Sequence, residues 1–399
     1  MIASAFSQWS DQTCRYLYGT TLVIAVMAAG AAPAHADVLD TVQAHGFLSQ
    51  ALIVSRHNDF FGPSSQHGGS LQYTEIGANV SMRPTNNLLV AAQVLSRRAG
   101  DDNSDHEPKL DYGLLDYQFI TGNERVAGVQ IGKLKQPFGI YNQTRDVAFT
   151  RPSILLPQSI YFDRTRAPAL SSEGISIYEE EHLPSGMLYF QVGAGKANTD
   201  SNVKETIWGS NIPASIDGAL SSIGQIGYEH GSGSIVAALT VADANIDIDG
   251  PRGAPDRYSF QPIIMSLQYN HGYWSITGEY ALRRQSFSGG EADQSITGES
   301  WYLQYTQRFS EDWQWLLRYD SLINDRTDPK GKKFEADGRG VDHSQFAKDW
   351  TLGLQWNATS DLLFSTEYHH VNGTGWLPKN QEESEQHWGM LLFQASWRF

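Results

Sequence analysis

Three stretches of this 399-residue chain carry residues that could do chemistry. The first is "GKLKQPFGIYNQTRDVAFTRPSILLPQSIYFDRTR", residues 132–166. Lys133, Lys135, Arg145, Arg151, Arg164 and Arg166 stand there against Asp146 and Asp163, a local charge of +4 in a chain of −15. Clustered guanidinium and ammonium groups attract anions, and Arg holds carboxylate or phosphate through paired hydrogen bonds. The second is "NIDIDGPRGAPD", where Asn245, Asp247, Asp249 and Asp256 fall at the spacing of a calcium-binding loop, N-x-D-x-D-G-x5-D. Asn replaces the first Asp, Asp replaces the terminal Glu, and the prolines favour a solvated acidic loop over a metal site. The third is the set His369, His370 and His387, available as general bases, but no serine context marks a nucleophile to go with them.

The N-terminus contributes an address and no chemistry. "TTLVIAVMAAGAA" is too short for a spanning helix and runs into Ala34-His35-Ala36, the pattern of a signal peptide, residues 1–36, cleaved before Asp37. The only cysteine, Cys14, leaves with it, so the mature chain has no thiol and no disulfide. Its charge stays at −15 because Asp11 and Arg15 go together, which argues against nucleic acid as a partner.

From Gly46 onward the chain repeats segments of period two. Trp313, Trp315, Leu317 and Tyr319 share one face of a strand whose other face holds Gln314, Leu316, Arg318 and Asp320; "WTLGLQWN" and "WSITGEYALR" repeat the pattern. Sixteen such segments are expected, near 45–56, 70–84, 87–99, 110–121, 125–137, 173–183, 186–197, 221–230, 233–247, 257–271, 273–288, 295–309, 313–325, 346–358, 362–372 and 388–399. Short connections such as "TGNE", "LPSG" and "NHG" alternate with long polar ones such as "AGDDNSDHEPK". That alternation predicts an all-β, up-and-down antiparallel barrel spanning a membrane, residues 37–399. A β-sandwich would leave too many evenly spread aromatic faces unburied, and closure removes the edges that sixteen strands otherwise expose.

Opposite the apolar faces lie Glu75, Arg97, Asp116, Glu279, Arg283, Arg308, Arg318 and Glu367, the expected pore-lining residues of a lumen too wide for side chains alone to fill. Only Asp37 to His45 precede the first strand, so no N-terminal plug is expected. The last strand, "GMLLFQASWRF", ends in Phe399 and resembles the terminal assembly signal of Gram-negative outer-membrane barrels. The layout as a whole resembles a 16-stranded trimeric porin. Gly132-Lys133 followed by Pro137-Phe138-Gly139 and a long loop is similar to the porin group that includes the phosphate-selective porins, in which the third extracellular loop folds into the barrel and sets the constriction. No match to that group's lysine cluster or arginine ladder is present, so phosphate specificity is not carried over.

Residues 138–172 fall where the third loop belongs. Pro137 ends strand pairing, Gly139 permits a redirection, Thr150 with Pro152 suits the start of a short helical turn, and "SILLPQSIYF" is apolar enough to pack on an inner wall. The six bases are then the expected constriction residues. Lys133 and Lys135 share parity with Val129 and Ile131, so they face inward only if the strand is irregular near Gly132, and wall acids such as Glu179, Glu180 and Glu181 are candidates to neutralise the bases. The expectation is a passive outer-membrane channel for small hydrophilic solutes, with anions favoured at the loop. The resemblance implies a homotrimer, and lipid and lipopolysaccharide are the surrounding partners. No cofactor is expected beyond calcium at the acidic loop. A barrel phospholipase using a Ser/His pair, or a structural or adhesive barrel, is the alternative.

Overall fold

The computed structural model describes residues 38–100, 107–208, 214–251, 254–290, 293–377 and 384–399. Residues 1–37, with the expected signal peptide, most of the 99–109 connection and part of four other connections lie outside them. Strands β1 (Gln43–Arg56), β2 (Ser70–Thr85), β3 (Leu88–Ala99), β4 (Lys109–Thr121), β5 (Arg125–Lys135), β6 (Ser171–Leu183) and β7 (Gly186–Ala197) pair antiparallel in sequence order. Two pieces follow, β8 (Ser215–Gly218) and β9 (Leu220–His230). Both pair with β10 (Ile235–Asp249), and Ala219 between them donates its amide to the Asn245 carbonyl, so the two pieces act as one interrupted strand. Then come β11 (Arg257–His271), β12 (Trp274–Ser288), β13 (Gln294–Arg308), β14 (Trp313–Ile323), β15 (Phe346–Asn357), β16 (Leu362–Asn372) and β17 (His387–Arg398). β17 pairs with β1 from Phe47↔Arg398 to Arg56↔Gly389, and the ring closes as a sixteen-stranded barrel.

The C-terminal residue completes that closure. Phe399 exchanges two backbone hydrogen bonds with Gly46, at 2.8 and 2.9 Å, and its ring occupies the place a Cβ on Gly46 would need. Each strand pairs with a neighbour on both sides all the way round the wall, so no open edge is left, as a barrel in lipid requires.

The two faces of the wall differ as the period-two pattern demands. Ile76, Val80, Leu115, Tyr117, Ile175, Phe190, Met265, Leu267, Leu303, Leu352 and Phe393 are exposed on the outside. Aromatic rings form two rows there. Trp274, Tyr305 and Trp315 run in contact near the short turns, with Trp313, Trp356 and Phe364 beside them, and Trp301, Tyr319 and Trp350 sit further toward the long loops. An apolar band between aromatic girdles is the surface of a barrel that crosses a membrane with its strands. Among the described residues no helix is long and apolar enough to do so.

Residues 245–249 lie on extended backbone inside β10, so Asn245, Asp247 and Asp249 of the calcium-type spacing sit on a strand, while Asp256 lies beyond it in the connection to β11. Asn245 accepts from Ser259 Oγ and Asp247 pairs with Arg257 at 2.9 Å. Among the described residues no three His, Cys, Asp or Glu side chains gather as a metal site would need.

Candidate constriction site

The turn from β5 into the lumen is made by two glycines. At Gly132, φ is +132°, and a Cβ would run into the Gly113 carbonyl of β4. The alternation breaks there. Ile131 is exposed on the outer face, yet Lys135, of the same parity, is buried inside. Asp111 arrives inside by a similar device, a register shift in the β3–β4 pairing beside it. Pro137 then leaves the ladder, and its carbonyl accepts from Gln225 Nε2 on β9 and Thr240 Oγ1 on β10. Gly139, at φ +63°, packs so closely on the Tyr161 hydroxyl and Glu279 that a side chain would collide with both.

From there residues 136–170 cross the barrel interior. Phe138, Leu156, Ile160 and Tyr161 are buried against Ile223, Ile264, Ala281 and Tyr302 on one wall. Ile154 and Leu155 are buried against Ala51, Ile53, Tyr73, Leu322 and Leu392 on the other. Burying each large aliphatic side chain is worth about 1.5–3 kcal/mol, which offsets part of the entropy lost in ordering so long a loop. At its far end Phe149 lies under the Arg398 guanidinium, 4.4 Å from it, at the short-turn mouth. The loop therefore runs nearly the length of the lumen. Its short 3-10 turns are Asn142–Thr144 and Ala148–Thr150, so Thr150 closes a turn instead of starting one: Arg151 after it is extended, and Thr150 Oγ1 donates back to the Thr144 and Val147 carbonyls.

Polar groups of the wall hold this path in place. Glu279 accepts from Tyr161 Oη at 2.5 Å and from the Ile140 amide at 3.2 Å. Glu367 accepts from the amides of Ile154 and Leu155. Arg318 donates to Ser153 Oγ and the Leu155 carbonyl, each at 3.0 Å, and Asp320 accepts from the Ser159 amide. Gln355 reaches the Arg151 carbonyl. In a dry setting such bonds matter chiefly because an unmade one leaves a buried polar group unsatisfied.

The loop's bases are paired. Arg151 bonds Glu75, whose carboxylate has no exposed surface, and Arg97 bridges Glu75 to Asp163 at 3.2 and 2.5 Å. Lys135 and Arg166 both meet Asp146, and Lys135 also holds Asp111 at 2.7 Å. Arg145 donates to the Tyr161 carbonyl and stands 3.7 Å from Asp163. Arg164 pairs with Glu205 on the short helix Ser201–Trp208. Among the described residues Lys133 is the one of the six without an ion pair; it donates to the Leu110 carbonyl at 2.6 Å. Titration follows this crowding. Burial, with Arg166 nearby, pushes Arg145 down to about 10. Burial alone would raise Asp146 and Asp163, but Arg166 and Lys135 around the first, and Arg97, Arg166 and Arg145 around the second, hold both below the usual carboxylate range.

The expected pore-lining set thus divides. Glu75, Arg97, Glu279, Arg318 and Glu367 anchor the loop. Arg283 lies over the Phe162 ring of the loop at 5.1 Å and bonds the Ile323 carbonyl. Asp116 accepts from Tyr178 and Gln130 within the wall, and Arg308 is exposed at the short-turn end. Glu179, a candidate neutraliser, instead pairs with Arg125 at that same end. The acids that do meet the loop's bases include Asp111 and Glu75. Asp111 escaped the sequence reading because a shift in register moved it inward. His369 lies inside the barrel between Asp349 and Glu367, whereas His370 and His387 are exposed, and among the described residues no hydrogen bond joins either to a serine.

No protein-family model matches the chain, and no curated protein does. Solved structures do match. The outer membrane channel DcaP of Acinetobacter baumannii superposes with a TM-score of 0.58 at 12% identity, over 90% of this chain and 97% of that one. An anion-selective porin from Comamonas acidovorans gives 0.58 at 13% identity, over 90% and 99%. The fold is that of the porins. The trimer form of OmpT, an outer membrane protein of Vibrio cholerae, gives 0.56 at 11% identity, over 90% and 99%. At these identities the likeness to porins extends to the barrel architecture, and what passes through this barrel has to be argued from its own residues.

Proposed function

We propose that this chain is a passive diffusion channel of a Gram-negative outer membrane, admitting small hydrophilic solutes through a lumen narrowed by residues 138–172. The observation that carries the proposal is the third loop laid along the inside of a sixteen-stranded barrel and bonded to polar wall residues on several strands. A lipid hydrolase would need a nucleophile beside its outward histidines, and among the described residues no hydrogen bond joins His370 or His387 to a serine.

Selection is by size first. Near the loop, Arg97, Lys135, Arg145, Arg151 and Arg166 face Glu75, Asp111, Asp146 and Asp163, so the +4 of the segment does not stand as a free field along the path. The anion preference suggested by the loop's composition shrinks to a small bias. The apolar belt faces lipid, and assembly as a homotrimer is part of the proposal, supported by the trimer form of the Vibrio cholerae structure. The test is swelling of liposomes containing the purified protein in sugars of increasing size. Swelling that falls off with sugar size, with no fatty acid released from the lipid, is expected. Fatty-acid release without swelling would overturn the reading.

A further inference from the structure

We propose that His369, clamped between Asp349 and Glu367, is a proton-operated latch that holds the third loop in the lumen and makes the channel's conductance rise with pH. The inference rests on the channel reading above, and it is carried by geometry. His369 on β16 is 1% exposed. Its Nδ1 lies 2.8 Å from Asp349 Oδ2 on β15, and its Nε2 lies 3.3 Å from Glu367 Oε2 on its own strand. Only a ring protonated on both nitrogens donates to both carboxylates; a neutral ring donates to one and turns a lone pair on the other.

Glu367 is the carboxylate that accepts the Ile154 and Leu155 amides, so the histidine acts on the loop through the loop's own anchor. The surroundings offer little substitute. From β15, Thr351 Oγ1 donates to Asp349 Oδ2, and Arg318 of β14 reaches Thr351 and the loop without touching either clamp carboxylate. Asp320 of β14 adds a further negative charge nearby and holds the Ser159 amide. The second oxygen of Asp349 is buried without a hydrogen-bond partner. With the ring neutral, two buried carboxylates face each other with one donor between them. That repulsion is relieved when Glu367 swings away and releases the Ser153–Leu155 segment.

The experiment is single-channel recording from the wild-type protein and from His369→Gln and His369→Lys, across about pH 5 to about pH 10. In the wild type, conductance or mean open time is expected to increase severalfold as pH rises, along a single-proton curve. The curve should vanish in both variants, with His369→Gln fixed in the open range and His369→Lys in the closed one. A wild-type conductance that does not change with pH, or an unchanged titration in His369→Gln, would overturn the latch. A protein that passes no ions at any pH would instead sink the channel reading. If neither variant inserts, the pH dependence of thiol labelling in Thr150→Cys, on the loop in an otherwise cysteine-free mature chain, decides. Labelling that quickens with pH beyond the thiol's own ionisation supports release, and labelling that follows ionisation alone refutes it.

Discussion

Glu75 is the wall carboxylate that joins Arg151 of the loop to Arg97 of β3. It takes Arg151 at 2.8 Å and Arg97 at 3.2 Å with no exposed surface of its own. Removing one partner of a buried pair costs about 3–5 kcal/mol, because the other charge is left without compensation. Glu75→Gln should therefore free the Arg151 segment and enlarge the conductance step, while lowering the temperature at which the folded barrel melts in detergent. Glu179→Gln, at the exposed pair with Arg125, should change neither. The acid side follows from Asp146 and Asp163. Both are held below the usual carboxylate range in the folded loop, by Arg166 and Lys135 in one case and chiefly by Arg97 in the other. Their stabilisation is thus fully present above the ordinary aspartate pKa and is lost as pH falls through their depressed values. Tryptic cleavage after Arg145 or Arg166, tested after brief acid exposure and return to neutral pH, should appear only when the exposure went below the ordinary aspartate range, about pH 3.9.

Among the elements, the strands were legible and the loop's partners were not. Period-two alternation located β7, β11 and β16 at the residues where they lie, because a wall between lipid and lumen sets every second side chain. The long third connection and its apolar run also announced a loop that packs inside. What escaped was everything that depends on register. Nothing in one sequence sets Asp349 beside His369, brings Glu75 under Arg151, or turns Asp111 inward at a shift between Gln93 and Val94. The irregularity foreseen near Gly132 is a backbone conformation that only glycine adopts easily, and it delivers Lys135 inside but leaves Lys133 on the Leu110 carbonyl. Gly132→Val should therefore misdirect the loop and cut the refolding yield sharply, measured as the heat-modifiable band on a gel. Gly46→Val, which displaces the Phe399 ring from the closing seam, should slow assembly by the same measure.

The whole molecule is a wide barrel narrowed by one loop whose charges are largely paired within the loop and with the wall. Two consequences can be read in a planar bilayer. A salt gradient should give a reversal potential close to zero, because the bases that would draw anions are paired with carboxylates. The most direct measurement compares the single-channel conductance of the wild type with that of a chain in which residues 138–170 are replaced by a short Gly-Ser linker. Stepwise conductance in the wild type and steps severalfold larger in the shortened chain are the result this account predicts; equal steps from two equally well-folded barrels would contradict it.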